Sequence, residues 1–158
     1  MQEGLHQLKY QKRIAFADGL SRAWNQVIAS QTMNMSADYL LPVPLSIQKL
    51  GVRGFNQSWE LARRIDCAPH IQQSPYILKR HHYSENQAGN PLVNRQTSIR
   101  GMFYIEPIHI DLLAGKIVVV FDDVMTSGAT LNEIASILKD NGVSRVINWV
   151  LLRTSRPT

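Results

Sequence analysis

The 158-residue sequence predicts one α/β domain with a mostly parallel central sheet flanked by helices, and three observations predict it. Residues 116–121 (KIVVVF) are continuously apolar, rich in β-branched side chains and bounded by turn signals, as expected of a strand buried on both faces. Residues 130–140 (TLNEIASILKD) put Leu131, Ile134, Ala135 and Leu138 on one helical stripe. They stop at Asn141-Gly142, where glycine suits a left-handed helix end. Residues 144–152 (SRVINWVLL) read as a second buried strand. Strand, helix and strand joined by short links form a right-handed βαβ unit. The length suits a single domain with its own core.

Taken in order, residues 13–29 form a helix, because Ala17, Leu20, Trp24, Val27 and Ile28 recur at three- and four-residue spacing. Residues 37–45 (ADYLLPVPL) read as a strand with a proline-stiffened end. Residues 47–57 (IQKLGVRGFNQ) read as a loop with two glycines, and 58–65 (SWELARRI) as a short helix. Residues 76–80 (YILKR) and 102–107 (MFYIEP) read as strands. Between them, 81–101 shows no sustained period and holds Gly and Pro breakers, which predicts a long loop of about twenty residues.

Composition narrows the classes. The chain is 44% apolar and 18% charged, without repeats or low-complexity tracts. Its longest apolar runs are too short to span a bilayer, and the N-terminal MQEGLHQLKYQKR lacks the apolar core of a signal peptide. One cysteine, Cys67, leaves no disulfide framework or cysteine-cluster zinc site, and a cytoplasmic location is the expectation. The net charge is +5, and between Leu45 and Gly101 eight basic residues face three acids. A basic central block suits an anionic ligand, either phosphates or a nucleic-acid backbone; a solvated surface with a mild basic bias is the plainer alternative.

The chemistry concentrates in VVVFDDVMTSGATL, residues 118–131. In an open parallel sheet, ligands bind beyond the carboxyl ends of strands. Asp122 and Asp123 stand at such an end. Two adjacent carboxylates repel, and burying each costs several kcal/mol, so both are expected to engage something from outside: sugar hydroxyls, a metal ion, or both. Thr126, Ser127, Gly128, Ala129 and Thr130 follow, leading into a helix. Their small side chains let backbone N–H groups approach an anion, and a helix N-terminus favours negative charge. The combination has the size of a sugar 5-phosphate. A strand-to-helix turn with an acidic start and a hydroxyl cap is the plainer alternative. A Walker B strand is excluded because no GxxxxGK[ST] loop precedes it, Gly115-Lys116 being followed by Ile117. A receiver domain is disfavoured because only Asp140 follows the pair, at a helix end.

The run VVVFDDVMTSGAT resembles the phosphoribosyl-pyrophosphate (PRPP) motif of type I phosphoribosyltransferases. Upstream, LLPVPLSIQKLGVRGFNQSWELARRI resembles the PVPL…RGFNQ…LA signature of the ComF family of competence-associated phosphoribosyltransferase-like proteins. ENQAGNPLVNRQTSIRGMF and the early LKY at 8–10 also resemble that family, so the likeness runs from about residue 5 to 153. It implies a type I phosphoribosyltransferase fold with a mobile loop at 81–101, which closes to exclude water from a reactive oxocarbenium-like centre. It also implies that Asp122 and Asp123 hold the ribose hydroxyls while Thr126 to Thr130 cradle the 5-phosphate. Arg53, Gly54, Phe55 and Asn56 would form the pyrophosphate loop, with Lys79 and Arg80 as further pyrophosphate ligands. Gln87, Asn94, Arg95 and Arg100 are polar candidates in the long loop without an assigned role, and Glu85 is a candidate base by location alone. His81 and His82 would point to opposite faces of a strand, so one shared ion is not expected. Mg²⁺ is the implied cofactor, held mainly by PRPP oxygens and water, with no protein metal ligand assigned.

The implied reaction is displacement of pyrophosphate from C1 of PRPP by a nitrogen nucleophile. The other reading is a non-catalytic PRPP sensor that handles single-stranded nucleic acid in DNA uptake, alongside protein partners of the competence machinery. Aromatic residues near the basic block are few for that role: Phe55, Trp59, Tyr76 and Tyr83. Many ComF members begin with a cysteine-rich zinc module absent from this sequence, which therefore reads as a short form or a fragment. Asn90, Ser98 and Ile99 depart from the family's loop pattern, and Met125 and Ser127 replace commoner Val and Thr.

Overall fold

The computed structural model describes residues 15–81 and 99–154. Helix α1 (Ala15–Met33) leads into strand β1 (Tyr39–Pro42), followed by helices α2 (Ile47–Arg53) and α3 (Gln57–Ala62). Short strands β2 (Gln72–Gln73), β3 (Leu78–Arg80) and β4 (Phe103–Ile105) come next. A 3₁₀ turn (Pro107–His109) runs into the one-turn α4 (Ile110–Leu113). Strand β5 (Ile117–Met125), helix α5 (Ala129–Asp140) and strand β6 (Arg145–Arg153) complete the chain.

The main sheet has the order β2-β1-β5-β6, and every neighbouring pair is parallel. β5 is central, pairing Tyr39 to Val118 on one side and Ile117 to Arg145 on the other. Its apolar run is buried on both faces because two separate cores meet there. On one face Val119 and Phe121 pack with Ala17 and Leu20 of α1 and with Leu61 and Ala62 of α3. On the other, Val118 and Val120 pack with Leu131, Ile134 and Leu138 of α5 and with Leu78, Phe103 and Ile105 of β3 and β4.

Several expectations need correction. The stretch read as a loop from 47 to 57 is helical as far as Arg53. Ser46 caps it by accepting the Lys49 N–H, and Gly54, at φ 81°, closes it by donating to the Leu50 carbonyl. The helix buries none of its residues, and at seven residues it is too short to show a sustained helical period in the sequence. β3 and β4 leave the parallel sheet and form their own antiparallel pair, with Leu78 opposite Ile105. β6 is an edge strand in which only Leu151 is buried, so it is not the doubly covered strand its composition suggested. Val27, placed on the apolar face of α1, is 76% exposed. Among the described residues, no helix is long and apolar enough to cross a membrane.

Candidate functional site

The carboxyl ends of β1 and β5 lie side by side, because the Val43 N–H donates to the Phe121 carbonyl at 2.9 Å. The N-terminus of α3 is pinned to the same corner. Asn56 donates through Nδ2 to the Val43 carbonyl at 3.0 Å, while its Oδ1 caps α3 by accepting the Ser58 N–H at 3.0 Å. Ser58 Oγ in turn approaches Asp122 Oδ1 at 3.4 Å, and the Asp123 N–H donates to the same oxygen at 2.9 Å. Asp122 is half-buried, and its carboxylate faces the corner between β1, β5 and α3.

Asp123 is only 4% exposed. The expectation that both carboxylates are reachable from outside is therefore corrected. β5 continues through the pair to Met125, which stays in register with Arg153 of β6, so Asp123 remains inside the covered part of the strand. Asp122 is the carboxylate that the surface reaches.

Thr126 and Ser127 are exposed, and Gly128 caps α5 in the left-handed region at φ 79° without a side-chain cap bond. Ala129 and Thr130 belong to the first helical turn rather than to the preceding loop. The first backbone bond that closes α5 runs from the Asn132 N–H to the Gly128 carbonyl at 2.9 Å. Helix geometry leaves the N–H groups before it without intrahelical acceptors. Among the described residues, the Ala129 N–H meets a side chain, Ser127 Oγ at 3.4 Å. This donor-rich turn follows the carboxylates by a few residues, as the sequence predicts.

The Arg53–Asn56 segment forms the corner between α2 and α3. Arg53 ends α2, Gly54 makes the left-handed turn, Phe55 packs against the α1–α3 core, and Asn56 spends its amide on the two bonds above. Lys79 and Arg80 approach from β3. Lys79 Nζ lies 5.5 Å from the centre of the Tyr76 ring, and the Arg80 guanidinium lies 5.5 Å from that of Phe103. Arg80 is half-buried and makes no ion pair among the described residues, and burial pulls its pKa below the usual guanidinium range. His81 stacks on Tyr104 with ring centres 4.4 Å apart. Arg100 is exposed, whereas His82, Tyr83, Glu85, Gln87, Asn94 and Arg95 lie outside the described residues.

Beside Asn56 opens a cavity of about 300 Å³, walled by Pro44, Leu45, Ile47, Leu50, Trp59 and Tyr104 and flanked by Lys79 and Arg80. Two larger hollows lie elsewhere: about 460 Å³ around Asp38 and His70, and about 810 Å³ around Cys67 and Gln73. None of the three is lined by the paired aspartates or the α5 turn. Sequence reasoning missed Ser58 and the cavity walls. A lone serine at a helix start and scattered apolar residues give no local signal; only the fold brings them to the corner. Among the described residues no group of three or more His, Cys, Asp or Glu side chains could form a metal cage.

Residues 52–158 match the phosphoribosyl transferase domain family. The chain belongs to that family. Within this phosphoribosyl transferase domain, the ComF-like motifs agree with its relatives. DNA utilization protein YhgH of Escherichia coli O157:H7 is 32% identical over 154 residues, covering 95% of this chain and 66% of that protein. Competence protein F of Haemophilus influenzae is 30% identical over 114 residues, covering 72% of this chain and 49% of that protein. The chain thus spans just under two thirds of the first relative's length. A solved structure described as the allosteric regulatory enzyme of purine biosynthesis superposes with a TM-score of 0.52 at 18% identity, covering 85% of this chain and 25% of that one. That likeness shows a shared fold.

Proposed function

We propose that this domain binds PRPP and transfers its phosphoribosyl group to a nitrogen acceptor, releasing pyrophosphate. The observation that carries the reading is an accessible carboxylate, Asp122, in the C-terminal half of the central strand, which runs on through Met125 and a short turn into the uncapped start of α5. Asp122 would accept from the ribose hydroxyls, with Asp123 and Ser58 fixing its orientation. The N–H groups and hydroxyls from Thr126 to Thr130 would hold the 5-phosphate, where the helix N-terminus favours negative charge. Arg53 and the exposed Gly54 backbone would meet the pyrophosphate, and Lys79 and Arg80 would add positive charge on the facing side.

In the reaction the acceptor nitrogen forms a bond to C1 as the bond from C1 to the pyrophosphate oxygen breaks. The electron pair leaves with pyrophosphate, and a proton carried by the nitrogen is released. The domain would act chiefly by holding donor and acceptor in line and by stabilising charge. The donor atoms at this corner, Asp122 Oδ1 and Ser58 Oγ, are oxygens, which fits a hard cation. When bound with PRPP, Mg²⁺ would neutralise charge on the departing pyrophosphate, and Asp122 would be the side chain nearest to its hydration shell.

A second reading keeps the pentose site but drops the transfer: a PRPP-responsive factor that handles single-stranded DNA. The basic block and the relatives named for DNA utilization and competence favour it. The same relatives support an association with competence in either case.

Calorimetric titration of PRPP with Mg²⁺ tests the shared claim. Asp122→Asn together with Asp123→Asn should weaken binding about tenfold or more, since charge-assisted hydrogen bonds are lost. Unchanged affinity in the double variant sinks it. Pyrophosphate release that depends on an added acceptor then separates transferase from sensor.

A further inference from the structure

The two edges of the main sheet are unlike. One edge is β2, only two residues long and followed by Ser74 and Pro75. Shortness and proline are ordinary protections against unwanted strand pairing. The other edge is β6, nine residues from Arg145 to Arg153, with no proline, lysine or acid along it. Among the described residues no strand pairs with its outer side. Which of its groups point outward follows from β5. The carbonyls of Ile117 and Phe121 accept from Asp38 and Val43 on the β1 side. Alternation along the strand therefore turns those of Lys116, Val118 and Val120 toward β6, where the Lys116 carbonyl accepts from Ser144 and Arg145. The N–H groups of Ile147 and Trp149 serve the next two carbonyls, which leaves the backbone groups of Val146, Asn148 and Val150 facing outward. Half-buried apolar side chains flank this row, Val146 and Val150 on the α5 face and Ile147 and Trp149 on the α1 face.

We propose that this edge is a self-association surface, on which two copies of the chain pair antiparallel through β6 about a two-fold axis at Asn148. The strand is complementary to itself in that register. Val146 faces the partner's Val150, Ile147 faces the partner's Trp149, and Asn148 faces the partner's Asn148. Such β-branched, aromatic and amide pairs favour strand association. The outward backbone groups exchange about six hydrogen bonds, two for each of three pairs. Charge selects the register. An axis one residue along, at Trp149, would set Arg145 against the partner's Arg153, and like charges directly opposite are destabilising. With the axis at Asn148, Arg145 instead lies opposite the partner's Leu151, along which its aliphatic stem packs. The area also suits a dimer. On each copy Val146, Ile147, Trp149, Val150 and Leu152 are half-buried, and with the backbone edge they approach the roughly 1,000 Å² that a specific interface needs. Because the paired strands run in opposite directions, the two candidate sites face opposite ends of the joined sheet and neither is covered. The proposal does not depend on the transferase reading.

Sedimentation of the wild type over a concentration series should show a monomer–dimer equilibrium. Asn148 is exposed, so a charge placed there leaves the core alone. Asn148→Lys and Asn148→Glu each put like charges face to face on the axis, and each should weaken self-association about fivefold or more. Mixed in equal amounts, the two variants should associate at least as tightly as the wild type, because opposite charges then meet. Only an axis at this residue produces that recovery. Amide hydrogen exchange checks the unmodified chain. Val146, Asn148 and Val150 should exchange fast when dilute and slowly when concentrated, while Ile147 and Trp149 stay slow throughout. A wild type that remains monomeric at millimolar concentration overturns the inference. So does a dimer indifferent to either charge, a pair of variants that gains nothing on mixing, or exchange at Val146, Asn148 and Val150 that ignores concentration.

Discussion

Asn56 commits its side chain twice, as the cap of α3 and as a donor to the end of β1. Asn56→Ala should therefore cost about 1–2 kcal/mol, seen as a lower denaturant midpoint at unchanged slope. Asn56→Asp keeps the cap but loses the donor, and should fall between. Gly128 is a different case. A Cβ there would meet Met125 Sδ at an ordinary 3.5 Å, so space is not the constraint. Its φ of 79° is, and Gly128→Ala should cost about 1–2 kcal/mol while tilting the turn that leads into α5. At the other end of the sheet, the Ile117 N–H bonds the Asp38 carboxylate at 2.8 Å, and Lys116 lies 3.2 Å from its other oxygen. These contacts, the backbone bond foremost, hold the Asp38 pKa below its usual range. Its stabilisation is full above the unfolded carboxyl value of about 4 and is lost as pH falls through the lower folded value. Thermal melts should fall more steeply with acid in the wild type than in Asp38→Asn. Residues 118–131 announce their chemistry in sequence because strand, carboxylates and turn are contiguous. Ser58 is 64 positions from its partner Asp122, and no local pattern reports such a contact.

The elements differ in how plainly their residues declare them. α5 and the β5 strand were legible because each buries a regular set of apolar residues, at helical spacing in one and continuously in the other. α2 was not, since it rests on two end caps instead of a buried face. β6 looked like a central strand because Val146, Ile147, Val150 and Leu151 are apolar, but its position at the sheet edge follows from topology, not composition. The placement of α3 depends on Arg64. Its guanidinium reaches Asp18 of α1 at 2.5 Å and Glu60 of α3 at 2.6 Å. Burial opposes the Glu60 charge, but the bonds from Arg64 and Arg63 outweigh it and keep that carboxyl below its usual range. Arg64→Ala should cost about 1 kcal/mol, because Asp18 is well exposed and the bridges are partly screened. Arg64→Lys should recover little, since one ammonium cannot reproduce the forked geometry. Paired equilibrium unfolding curves decide between them.

Over the whole molecule, the two cores meet in one strand, and that strand ends in the candidate site. Phe121 is 1% exposed and packs edge-on against Trp24, with ring centres 5.7 Å apart. Phe121→Ala should cost about 3–5 kcal/mol through loss of burial and the cavity it leaves. Because Asp122 is the next residue, the same change should weaken PRPP binding, which Phe121→Leu should largely spare. Trp149 completes the aromatic group, 6.1 Å from Trp24, while Trp59 stands in the cavity wall. Two of the chain's three indoles thus pack beside the strand that carries the paired aspartates, and the third lines the cavity beside Asn56. The domain carries its own optical gauge. If PRPP binds at the aspartates, its arrival should change ultraviolet emission without any dye, and replacing one tryptophan at a time with phenylalanine tells which indole reports it.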